Sequence, residues 1–112
     1  MELLILTLNK EEYLEKILSI LIEAGISQAV ILESEALGHF LAYKVPIFAG
    51  LRYLVGKKKS QNKTILALIE NKKDFLKFKK ILAEENIDFA EPGMGMILTL
   101  PVNEVIKPSK EI

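Results

Sequence analysis

Thr7-Leu8-Asn9-Lys10-Glu11-Glu12-Tyr13-Leu14 and Ile69-Glu70-Asn71-Lys72-Lys73-Asp74-Phe75-Leu76 carry one pattern twice. Each has the end of an apolar run, an Asn suited to capping, an acid at the third helical position, an aromatic and a Leu. Each octet therefore reads as a strand passing into a helix. With one gap, Gly25-Ile26 then aligns with Asn86-Ile87, where each helix is expected to stop. Two such halves in one chain imply the order βαββαβ. The expected fold class is α+β, a ferredoxin-like sandwich of four antiparallel strands with two helices on one face.

Outward from these octets, Glu2 to Leu8 is an almost continuous apolar run and reads as the first strand. Asn9 is expected to cap a helix whose buried stripe is Leu14, Ile17, Leu18 and Leu21, with Gly25 as its stop. A second strand is placed from about Gln28 to Ser34 and a third from Thr64 to Glu70. Asn71 begins a helix through about Glu85 that buries Phe75, Phe78, Ile81 and Leu82. Ile87 to Ala90 is compatible with a short strand, and Met96 to Val102 is the last main one, its ladder ending at Pro101. Residues 1–112 thus form one domain, interrupted by a long connection over 37–62 that holds Gly38, Pro46, Gly50, Gly56 and the polar run Lys57-Lys58-Lys59-Ser60-Gln61-Asn62.

The chain has 112 residues, 50% of them hydrophobic, enough to bury a core and to exclude a disordered linker. Fifteen Lys and Arg balance fifteen Asp and Glu, so no overall field selects nucleic acid or an anionic membrane. Nucleic-acid binding and direct membrane insertion are not expected. Cysteine is absent and His39 is the sole histidine, which excludes disulfides and thiolate metal sites. The run Leu3 to Leu8 is too short to span a bilayer and has no basic leader, so a cytoplasmic location is expected. Leu3 to Leu8, Thr64 to Ile69 and Met96 to Leu100 also fail to alternate apolar with polar. Two helices cover only one face of a sheet, so the second face is expected to be buried between like subunits.

Known chemistries of this architecture leave few marks. The strands lack the aromatics of an RNA-binding sheet, and the only Arg, Arg52, is far from the loop after the first strand where a phosphatase of this shape would need one. His39 has no second His for a metal, Glu33 and Glu35 read as strand-end carboxylates, and no Ser-His-Asp set can be assembled. No catalytic or metal-binding residue is assigned. Gly93-Met94-Gly95 before the last strand can turn backbone N–H groups toward an anion, with Lys57 to Lys59 as possible added charge. Val45 to Gly56 is as apolar as a core element yet lies in the long connection. Ile47, Phe48, Leu51, Arg52 and Leu54 in it are candidates for partner binding, unless the segment folds back as a short helix against a ligand or a subunit.

The order strand, helix, strand, long loop, strand, helix, Gly-x-Gly loop and a strand ending in Pro101-Val102 resembles the nitrogen-regulatory PII superfamily over essentially the whole chain. Gly93-Met94-Gly95-Met96-Ile97-Leu98-Thr99 is similar to that family's G-D-G-K-I-F-V pattern, and Gly25, Glu33 and Gly38 fall at comparable positions. The resemblance implies a non-enzymatic signalling homotrimer with a small anionic ligand, ATP or ADP, held in clefts between subunits. It implies that Gly38, His39, Gly93, Met94, Gly95 and Lys107 contribute to that site. It also implies that 37–62 is the loop that docks a target protein, by analogy a membrane transporter. Several family cations are replaced: Met96 stands for a Lys, Lys107 and Ser109 for a pair of Arg, and His39 for another Arg. The alternative is a structural trimer that binds no ligand and uses the long connection as a fixed intersubunit clasp. On the ligand reading, Gly95→Asp is expected to abolish binding and spare the trimer.

Overall fold

The computed structural model describes residues 1–56 and 61–108. Strand β1 (Glu2–Leu8) leads through a 3-10 turn (Glu11–Tyr13) into α1 (Leu14–Glu23) and β2 (Ala29–Glu33). A helical excursion follows: α2 (Leu37–Lys44), a 3-10 segment (Pro46–Leu51) and α3 (Arg52–Val55). Then come β3 (Lys63–Ile69), α4 (Lys72–Glu84) and β4 (Gly95–Pro101). The strands form one sheet in the order β2-β3-β1-β4, every neighbouring pair antiparallel, which is the ferredoxin-like topology.

The internal repeat is plainest where the helices end. After α1, Gly25 takes φ +92°, Ile26 N–H donates to Leu21 O at 2.8 Å and Gly25 N–H to Ile22 O at 3.0 Å. After α4, Asn86 takes φ +58°, Ile87 N–H donates to Leu82 O at 2.9 Å and Asn86 N–H to Ala83 O at 3.1 Å. These are two Schellman stops of identical bonding, each tucking the next residue, Ile26 or Ile87, into the core.

The helix starts differ from expectation. Asn9 caps nothing: its N–H donates to Met94 O at 2.9 Å and its side-chain oxygen accepts from Asn62 Nδ2, so tertiary partners have displaced the local bond. Asn71 occupies the capping position before α4 without a side-chain cap bond. Ile87 to Ala90 forms no strand. Asp88 folds the chain there, accepting from Ala90 N–H at 2.9 Å through its side chain and from Glu91 N–H at 3.1 Å through its carbonyl.

Pairing of Leu4 with Ala67 and Thr99, and of Leu6 with Ile65 and Ile97, places these residues on one face of the sheet. Leu4, Leu6, Leu8, Ile65, Ala67 and Ile69 pack there against Ile17, Ile20 and Leu21 of α1 and Phe78, Ile81 and Leu82 of α4. The other face presents Leu3 and Ile5, Val30 and Leu32, Leu66 and Leu68, and Met96, Leu98 and Leu100. Both helices pack on the opposite side, so this second apolar face is only half-buried or exposed.

The long connection is helical over Leu37–Lys44, where the sequence pattern suggests no element, and over Pro46–Leu51 and Arg52–Val55, where a short helix is one of two expectations. α2 and α3 pack on each other and on the 3-10 segment between them, and make no comparable packing to the sheet. Tyr43 Oη donates to Gly56 O, Arg52 Nε donates to Ala42 O at 2.9 Å, and the Arg52 guanidinium lies 5.1 Å from the Tyr43 ring centre. The excursion is therefore an arm with its own small interior, in which Ala42 and His39 are buried. The radius of gyration is 15.8 Å, against about 13 Å for a compact chain of this length.

Candidate functional site

β1, β2 and β3 end or begin at the same end of the sheet, because Leu8 pairs with Lys63 and Glu33 pairs with Lys63. Polar residues at and just beyond these ends form a ladder. Thr64 Oγ1 donates to Ser34 Oγ at 2.9 Å, Ser34 Oγ donates to Asn62 Oδ1, and Asn62 Nδ2 donates to Asn9 Oδ1. Asn62 is buried. One chain of hydrogen bonds thus ties three strands together where the arm leaves the sandwich.

Above this ladder lies a cleft of about 660 Å³. Asn9, Glu12, Asn62 and Gly93 line it from the sandwich, and Gly38, His39, Leu54, Val55 and Gly56 line it from the arm. Gly38, His39 and Gly93, assigned to one site from sequence, are therefore brought together, with Leu54 of the docking segment on the same wall. The volume falls in the range of small-molecule sites. Its described walls are amide-rich and apolar, with Glu12 and His39 as the titratable groups and no Lys or Arg among them.

His39 has an orienting partner that spacing in a non-helical segment could not reveal. Its Nδ1–H donates to Glu35 Oε2 at 2.7 Å, and Lys44 Nζ donates to Glu35 Oε1 at 3.0 Å. The Lys44 bond first and the His39 bond second hold the Glu35 carboxyl below its ordinary value. Tyr43 flanks the imidazole at 5.0 Å between ring centres. Glu35, just before α2, and His39, Tyr43 and Lys44 within it recur at helical intervals, a signal legible only once 37–44 is known to be helical.

The remaining assigned residues lie elsewhere. Met94 is buried in the core, its N–H donates to Glu91 O at 3.2 Å and its carbonyl accepts from Asn9. Gly95 has φ +135°, and a Cβ there would stand 1.9 Å from Thr7 O. Its lack of a side chain serves the β1–β4 approach, so Gly95→Asp disrupts the sheet and is unsuited to test a ligand. Gly93, at φ +82°, has open space around it. Lys107 Nζ is 2.8 Å from Glu70 Oε1. Glu70 follows Ile69, which pairs with Glu2, so within one chain Lys107 sits at the other end of the sheet, about 20 Å from the cleft. Glu33 pairs with the buried Lys63 Nζ at 3.4 Å, and Glu11 with the same nitrogen at 3.6 Å. Lys57, Lys58, Lys59 and Ser109 lie outside the described residues. Among those described, no group of His and carboxylates is arranged to hold a metal, and no helix is long and apolar enough to cross a membrane.

Comparison of the chain with protein-family models finds no match, and comparison with curated proteins finds none either.

Proposed function

We propose that the protein is a non-enzymatic, PII-like regulator, a homotrimer that senses a small ligand of the adenine nucleotide class in this cleft and docks a target through the arm. The observation that carries the reading is the composition of the cleft, whose one wall is the sandwich and whose other wall is the arm. A ligand bridging the two walls favours one arm position over others by its difference in affinity for them, which is what a sensor requires. Apolar Leu54 and Val55 suit the faces of a purine, and Asn9, Asn62 and His39 suit its polar edges and the ribose. Phosphate charge has no described cation in the cleft of one chain, so recognition falls chiefly on base and sugar.

Calorimetric titration with ATP, ADP, AMP, cyclic dinucleotides and S-adenosylmethionine tests this. At least one is expected to bind and to raise the melting temperature. Gly38→Leu builds a side chain into the cleft from a helical position where a Cβ would meet only Val55, at 3.5 Å. It is expected to abolish the response and leave the native mass unchanged. No response to any of these ligands replaces the sensor with the fixed clasp, a reading favoured by the arm's internal packing.

A further inference from the structure

The zero net charge conceals a separation along the chain. Between Ala36 and Ile69 there is no Asp or Glu, while six Lys or Arg lie there, so all fifteen acids belong to the rest of the molecule. The arm is the described part of this acid-free stretch that projects. It exposes large apolar side chains away from the cleft lining: Leu37 at 74%, Ile47 at 84% and Tyr53 at 83%. No carboxylate among the described residues pairs with Arg52, and Lys44 is held at the base of the arm by Glu35.

We propose that the outer surface of the arm seats on an anionic lipid bilayer. Exposed aliphatic and aromatic groups, the Arg52 guanidinium beside them and a sequence without acids over 36–69 are what the headgroup boundary selects. The apolar groups alone would suit lipid or protein; the missing acids favour a surface of uniform negative charge. Screening confines the attraction to roughly 8 Å, so a headgroup responds to the arm and not to the neutral sum. This names what the arm docks onto. It rests on reading the arm as the docking element, and not on a ligand in the cleft.

The test uses the full-length protein with vesicles of phosphatidylcholine alone or of equal parts phosphatidylcholine and phosphatidylglycerol. Co-sedimentation with the mixed vesicles is expected, at least about tenfold stronger than with phosphatidylcholine alone and weakened by salt. Ile47→Asp is expected to lower partitioning by about tenfold. The chain has no Trp, so Tyr53→Trp supplies a single reporter whose emission shifts to the blue on anionic vesicles. Protein left in the supernatant, equal partitioning of Ile47→Asp, or an unmoved Trp emission overturns the proposal. So does an emission already blue-shifted without lipid, which would place the arm between protein copies. Nucleotide titrations run beside these assays separate the two readings: a nucleotide response without vesicle binding refutes only the lipid docking, and vesicle binding without a nucleotide response refutes only the ligand.

Discussion

Gly93 and Gly95 stand two residues apart, share a positive φ and serve different ends. At Gly95 an added Cβ meets the Thr7 carbonyl at 1.9 Å, and at Gly93 it meets nothing. Gly95→Ala is therefore expected to cost about 3–5 kcal/mol in urea unfolding, from strain and overpacking together. Gly93→Ala should cost about 1–2 kcal/mol, the left-handed backbone term alone. The glycines were legible in the sequence; their separate roles were not, because the distance between two strands appears only in the register. Glu35 provides a second residue-scale test. Its carboxyl, held below the ordinary value by Lys44 and His39, contributes stability that is fully present above that value and is lost as pH falls through the lower folded one. Unfolding followed from about pH 6 to pH 3 should show this loss in the unsubstituted protein, and Glu35→Gln should flatten that part of the profile.

At the scale of elements, the arm is closed by its own contacts and the sandwich by others. Glu33 and Lys63 are paired neighbours at the ends of β2 and β3, so the chain can cross between them without the arm. Replacing residues 36–60 with a short Gly-Asn turn is expected to leave the circular dichroism of the sandwich intact. Its stability should change by no more than about 2 kcal/mol, since loop-closure entropy varies slowly with length. Collapse of the fold would show the arm to be part of the core. Strands and main helices could be read from sequence because apolar spacing and stop signals repeat in both halves. The arm was legible only as an open choice between an exposed segment and a short helix over 45–56: Leu37 to Val55 is apolar on nearly every side, and without a polar face its helical period is silent. The same silence hid Glu35 as the partner of His39.

The whole molecule presents two apolar surfaces, the open sheet face and the arm. If the sheet face joins like subunits, sedimentation equilibrium should give three times the mass of one chain. Leu66→Asp, at the centre of that face between Ile5 and Val30, should then give monomers that keep their secondary structure. A monomer in the unsubstituted protein would remove the trimer from the reading. By itself the sequence determined the ferredoxin-like order of elements, the helix stops and the excess of apolar strand residues, because these depend on local spacing and backbone preference. The folded chain was needed to show that Gly38, His39 and Gly93, grouped by resemblance, meet in a cleft within one chain, that Gly95 and Met94 serve the sandwich, and that Lys107 lies at the far end. Such placements depend on which strand ends are neighbours and which loops share a bond, and residues far apart in the chain carry no local mark of that.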